Sequence, residues 1–252
     1  MSLNDGGLLY YLFKPDSIQY SVFFLIFTVV TIVCSYLLGS VNSAIIISRV
    51  LYGDDIRKHG SGNAGLTNML RTYGKGAAGL TLIGDIMKTA VAIFISAILF
   101  GFNYVAGLST GDGMCYIAGM FAVVGHIAPI YYKFKGGKGV LATATMALIL
   151  TPVPFLILFA VFVGVVAISK YVSLGSVISA ILYPVLLHGT FAVVFSKAKS
   201  PLPGLAALAS ILIAIIIVWC HRENLQRIMD RTERKLSFKK KSESDETEDD
   251  KK

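Results

Sequence analysis

The run Asp55–Arg71, DIRKHGSGNAGLTNMLR, carries residue types that bind phosphate. Gly60, Gly62 and Gly65 are interleaved with Ser61, Asn63, Thr67 and Asn68, and Arg57, Lys58 and Arg71 bracket them. Glycine lets main-chain N–H groups approach a ligand closely, and successive N–H groups in such turns form anion-binding nests. Arginine adds a planar fork matched to phosphate oxygens. Three further clusters have a related character: the basic glycine run Lys133–Gly139, the Lys-Tyr-Val-Ser-Leu-Gly-Ser run at Lys170–Ser176, and His-Arg-Glu-Asn at the start of His221–Arg227. Neither glycine run matches the Walker pattern, since no Gly-Lys-Ser/Thr opens a helix at the needed spacing. Asp85 and Lys88 form a separate ionisable pair, three apart on one helix face.

The elements that must position these clusters are apolar. Of 252 residues, 55% are hydrophobic and only 15% charged, against about 25% charged in soluble domains. With repeated apolar runs near 20 residues, this predicts an all-α polytopic membrane protein. The expected spans run from Ser21 to Ser48, Ala77 to Phe100, from after the loop Gly101–Gly113 to Tyr132, Leu174 to Phe195 and Leu205 to Cys220. Between the third and fourth of these lie 29 apolar residues, Val140–Ile168, broken only by Thr151-Pro152-Val153-Pro154. Length favours one kinked helix there, whereas the prolines favour a turn between two short spans of about 14 residues each.

Charge parity favours the turn. It makes seven transmembrane helices, with the N-terminus outside and the C-terminus cytoplasmic. Nineteen of the 23 Lys/Arg then fall on one face, leaving Lys14, Lys197 and Lys199 opposite and Lys88 in the membrane. A single kinked helix would put the tail and its ten cations on the wrong side. Residues 1–20 read as a pre-membrane segment, 21–236 as the membrane domain, and 237–252 as a disordered charged tail. No removable signal peptide is evident.

The quoted residues resemble the bacterial acyl-phosphate:glycerol-3-phosphate acyltransferases, the PlsY family, from about Tyr36 to Leu236. The resemblance rests on Gly39-Ser40, Asp55-Ile56-Arg57, Gly60-Ser61-Gly62-Asn63, Thr67-Asn68, Asp85 with Lys88, and Gly125-His126 with Pro129. It continues through Phe134–Gly139, Tyr171-Val172-Ser173-Leu174 and His221-Arg222-Glu223-Asn224. Leu66 and Thr89 depart from the usual pattern without removing a polar group. The resemblance implies transfer of an acyl group from fatty acyl-phosphate to the 1-hydroxyl of glycerol-3-phosphate, giving lysophosphatidic acid and phosphate, at the cytoplasmic face of the inner (plasma) membrane. It implies Ser61, Arg71, Lys138, Ser173, His221 and Asn224 as the catalytic set, the first four around glycerol-3-phosphate. Gly60, Gly62, Asn63, Thr67, Asn68, Gly136, Gly137 and Gly139 follow as further substrate-binding positions, with Thr67 and Asn68 at the acyl-phosphate end, and Glu223 as structural.

The residues make sense of that reaction independently. Both substrates carry a phosphate, so two anion pockets must lie close together, and a mixed-anhydride donor has a good leaving group that lessens the need for a strong base. None of His59, His126, His188 or His221 has an aspartate five positions on, so the His-x4-Asp acyltransferase signature is absent. His221 is either a general base or a positioning group; positioning, with the donor phosphate taking the proton, is the expectation. Cys34, Cys115 and Cys220 lack metal-ligand spacing and read as free thiols. No metal, cofactor or nucleic acid is expected; the expected partners are glycerol-3-phosphate, fatty acyl-phosphate and the bilayer. A transporter or flippase for a phosphorylated solute is the competing reading, but it would place polar residues at the midplane and on both faces.

Overall fold

A computed structural model describes residues 7–15, 17–101, 104–105, 108–109, 113–194 and 204–236. Ten α-helices account for most of them: α1 (Gly7–Leu12), α2 (Ile18–Ser40), α3 (Ser43–Tyr52), α4 (Leu66–Phe100), α5 (Met114–Ile127), α6 (Val140–Leu150), α7 (Pro152–Ser169), α8 (Val172–Val194), α9 (Gly204–Cys220) and α10 (Arg222–Met229). The α4–α5 connection holds a small antiparallel hairpin, β1 (Tyr104–Val105) with β2 (Leu108–Ser109). Among the described residues five helical stretches are long and apolar enough to cross a membrane, or six when α9 and α10, bent by 51° at their junction, are counted as one span. The chain is a multi-pass membrane protein. The charged tail and the connection 195–203 expected from the sequence lie outside the described residues.

Local chemistry sets several helix ends differently from the expectations above. The first apolar span breaks at Val41-Asn42, because the Asn42 side chain accepts from the Ile45 N–H (3.0 Å) and starts α3 afresh. Ser17 likewise caps α2 through the Tyr20 N–H at 3.1 Å, so the helix begins inside the stretch read as pre-membrane. Within the third span α5 ends at Ile127, and a short 3-10 turn at Ile130–Tyr132 carries the span on to Tyr132 as expected. The second starts at Leu66, eleven residues early, and turns at Gly74, whose φ of 84° only glycine adopts freely. Thr67, Asn68 and Arg71 therefore stand on the first turns of a helix, not in a loop.

The proline segment resolves as a break at Thr151 between α6 and α7, of 11 and 18 residues rather than 14 each. Pro152 occupies the first position of α7, where its missing N–H costs nothing. Lys138, just before α6, bonds to Asn224, and Ser173, just after α7, reaches the same neighbourhood through Glu233. A single straight helix of 29 residues would hold those ends about 44 Å apart. The chain therefore reverses at Thr151.

At the centre, α2 and α5 pack backbone to backbone. A Cβ on Gly39 would lie 2.2 Å from the Ala122 carbonyl oxygen, and one on Gly125 would lie 2.3 Å from that of Tyr36. Between apolar helices in lipid, small residues permit the close van der Waals contact that drives association. The apolar core runs from this contact through Met146, Leu150, Tyr183, Leu187 and Ile213.

Candidate active site

One cavity of 660 Å³ opens where the polar clusters meet. Its polar end is lined by Leu66, Thr67 and Asn68 from the first turn of α4, Val140 and Leu141 from that of α6, and Val172 and Ser173 from that of α8. Helix N-termini carry unpaired N–H groups and a partial positive charge, so three of them around one cavity attract an anion. Arg71, Lys138, Arg227 and Arg234 add full charges. The other end is lined by Phe155, Leu158, Phe159 and Phe162 of α7 with Ala144, Ala147, Ala180 and Tyr183. An amphiphile with an anionic head and an alkyl chain matches both ends.

Eleven of the fourteen residues expected from the sequence line this cavity: Gly60, Ser61, Asn63, Thr67, Asn68, Arg71, Lys138, Gly139, Ser173, His221 and Asn224. Gly62, Gly136 and Gly137 do not. The reason for the last two is visible in their hydrogen bonds. Gly136 donates its N–H to the Ile127 carbonyl and Gly137 to that of His126, both at 3.1 Å. These amides close the C-terminus of α5 and are not free to form an anion nest. Arg57 is similarly engaged elsewhere. It pairs with Asp55 at 2.7 Å and donates to the Tyr132 and Lys135 carbonyls, tying the first polar run to the basic loop. That pairing holds the Asp55 carboxyl well below the usual carboxylate range.

Asn68 acts within its own run. Its Nδ2 donates to the His59 and Asn63 carbonyls (both 3.0 Å), and its Oδ1 accepts from the Ser61 N–H (3.1 Å). The side chain is buried and shapes the glycine turn from inside. Ser61 and Arg71 stay exposed on that turn and the adjoining helix.

On the opposite wall Lys138 bonds through Nζ to Asn224 Oδ1. The Asn224 Nδ2 donates to Glu233 Oε1 (2.7 Å), which also accepts from Ser173 Oγ (2.8 Å), while Arg227 Nε donates to Oε2 (2.8 Å). Glu233 was not among the expected residues. It follows α10 in a segment near the end of the 21–236 stretch, shortly before the charged tail. The segment is anchored by the Leu236 N–H on the Lys170 carbonyl at 2.8 Å. Glu223, expected to be structural, is exposed, and among the described residues its ion pair is with Arg222 at 3.7 Å. The carboxylate that organises this wall is Glu233. Burial pushes its pKa up, but the bonds from Asn224, Arg227 and Ser173 outweigh that and hold it below its ordinary value.

His221, at the α9–α10 bend, is buried, and its Nδ1 lies 2.8 Å from the Ile217 carbonyl oxygen. A carbonyl can only accept, so Nδ1 carries the hydrogen and Nε2 presents a lone pair. Burial, then the charge of Arg227, lowers the pKa of the Lys138 ammonium.

The match to known proteins follows the same residues. The family model described as glycerol-3-phosphate acyltransferase matches residues 29–231. The chain belongs to that family. It is 40% identical over 223 residues to the glycerol-3-phosphate acyltransferase of Mycoplasmopsis agalactiae, covering 81% of this chain and 91% of that one. To the Clostridioides difficile glycerol-3-phosphate acyltransferase it is 37% identical, covering 84% and 97%. Among solved structures, it is similar to PlsY (YgiH), an integral membrane glycerol 3-phosphate acyltransferase, in the glycerol 3-phosphate form. That match has a TM-score of 0.69 at 28% identity and covers 83% of this chain and 96% of that one. The lysophosphatidic acid form of the same protein gives 0.67, covering 83% and 95%. The acyltransferase match ends at Arg231, two residues before Glu233.

Proposed function

We propose that this acyltransferase moves a fatty acyl group from acyl-phosphate to the 1-hydroxyl of glycerol-3-phosphate, releasing lysophosphatidic acid and inorganic phosphate. The observation that carries the reading is the cavity itself: three helix N-termini and four cations at one end, aromatic and aliphatic walls at the other. A flippase would need free polar groups through the midplane, whereas here Arg71, Lys138, Arg227 and Arg234 gather with three helix N-termini at one end, and the deeper charges Asp85 and Lys88 are paired with each other. The solved relative's two forms, named for glycerol 3-phosphate and lysophosphatidic acid, are acceptor and product of this reaction.

In this reading Arg71 and Lys138 neutralise the substrate phosphates, with Ser61 and Ser173 donating hydrogen bonds and Thr67 at the donor end. The acceptor 1-hydroxyl oxygen attacks the acyl carbonyl carbon, the bond from that carbon to the phosphate oxygen breaks, and the departing phosphate takes the hydroxyl proton. His221, with its hydrogen held at Nδ1 by the Ile217 carbonyl, offers a lone pair at Nε2 that can accept from the 1-hydroxyl and so orient it. The topology consistent with this is seven crossings with the cavity mouth in the cytoplasm. The reversal at Thr151 and the gathering of the basic runs at one end support it.

The test uses purified protein, palmitoyl-phosphate and glycerol-3-phosphate, with phosphate release followed with and without acceptor. Acceptor-dependent release is expected. Release independent of acceptor, or equal activity with acyl-CoA, would reject the reading. His221→Gln should keep at least a tenth of kcat, about 1.4 kcal/mol in barrier. A far larger fall in kcat with unchanged acceptor KM would make His221 the base.

A further inference from the structure

Asp85 and His126 line the same cavity beside the basic glycine loop, and with Lys88 they form a buried polar chain that the proposed reaction does not use. Asp85, Lys88 and His126 are 1%, 7% and 4% exposed. Lys88 Nζ sits 2.9 Å from Asp85 Oδ1, donates to the Val41 carbonyl at 2.9 Å, and lies 2.9 Å from His126 Nδ1. An ammonium has only hydrogens to offer, so Nδ1 must present its lone pair, which leaves His126 neutral with its hydrogen on Nε2. A charge buried in an apolar bundle is costly unless every hydrogen is matched, and here one of them is spent on fixing an imidazole.

What that imidazole touches is the loop. A Cβ on Gly137 would lie 2.1 Å from His126 Nε2, and one on Gly136 would lie 2.1 Å from the His126 carbonyl oxygen. Gly137 also donates its N–H to that carbonyl at 3.1 Å. The two glycines thus rest against one residue, main chain and ring together, and the residue that follows them is Lys138. Their identity is explained by this close approach and not by anion binding.

We propose that Asp85, Lys88 and His126 are positioning residues for Lys138: the ion pair locks the His126 ring, and the ring is the seat that sets where the Gly136–Gly139 loop delivers its lysine. This rests on the reading of Lys138 as a phosphate ligand. A pair that merely joined α4 to its neighbours would be indifferent to the loop, and acceptor binding separates the two cases.

His126→Asn keeps an acceptor near the Nδ1 position for Lys88 but removes the outer ring. Gly137→Ala leaves the ion pair intact and pushes a methyl into the same contact. Each is expected to raise the KM for glycerol-3-phosphate by about tenfold or more while kcat changes less. In the double variant the shortened side chain removes the closer of the two contacts, that with the ring, and leaves the 2.8 Å approach to the Ala64 carbonyl oxygen, so the KM increase should fall below the product of the single effects. Unchanged KM in both single variants, with only the melting midpoint lowered, would overturn the proposal, as would full multiplicativity in the double. If His126→Asn does not fold, the Gly137→Ala measurement decides alone. Lys138→Met is the reference: if it leaves acceptor KM and kcat unaltered, the reading of the site fails and the inference with it. If it impairs them while the seat variants do not, only the inference fails.

Discussion

Lys138→Met is expected to lower kcat/KM for glycerol-3-phosphate by about a thousandfold, roughly 4 kcal/mol. Two contributions lead there. Methionine approximates the length of the lysine stem but removes the charge facing a phosphate in a partly desolvated pocket, where truncating one partner of a buried charge pair costs about 2–5 kcal/mol. It also leaves Asn224 Oδ1 without the donor that now fills it, freeing the amide to rotate. Because burial and Arg227 lower the Lys138 pKa, an arriving phosphate strengthens the ammonium that receives it. Initial rates of phosphate release over a range of acceptor concentrations, beside a melting curve, measure the effect. A loss smaller than about tenfold in a well-folded variant would remove Lys138 from the anion site.

The residues that carry charge and the turns that carry glycine were legible because their signals are local. Pro152 and Pro154 marked a reversal, the apolar runs marked helices, and both basic glycine runs arrived at one cavity. The start of α4 was not legible, since Gly65 offers no side-chain cap and a glycine before Leu66-Thr67 reads as loop. The use of the Gly136 and Gly137 amides was hidden for a different reason. Their acceptors are the last carbonyls of α5, and no composition rule separates a glycine that binds an anion from one that closes a helix. Glu233 was hidden by context. Flanked by Arg231, Arg234 and Lys235, it resembles the mixed-charge tail that follows it. Only the fold shows that Arg227 and Leu236 pin the segment against the cavity.

That carboxylate carries the second large expectation. Glu233→Ala removes the one acceptor shared by Ser173 and Asn224 and the ionic partner of Arg227. Hydrogen bonds to charged groups are worth about 1.5–3 kcal/mol each. Their loss should cost about a hundredfold in kcat/KM, roughly 2.7 kcal/mol, together with a lower melting midpoint. Glu233→Gln separates the parts. Its Oε1 can still accept from Ser173 and Asn224, preserving the orientation that turns Asn224 Oδ1 to Lys138, but its NH2 would face the Arg227 N–H, donor against donor. The glutamine variant should therefore retain most of the activity that alanine loses and share more of its thermal instability. The opposite sign is equally informative. If either variant binds glycerol-3-phosphate more tightly than the parent, the carboxylate stands where the acceptor phosphate belongs. The segment after α10 would then have to withdraw before each turnover, and Glu233 would be a competitor for the site instead of its organiser.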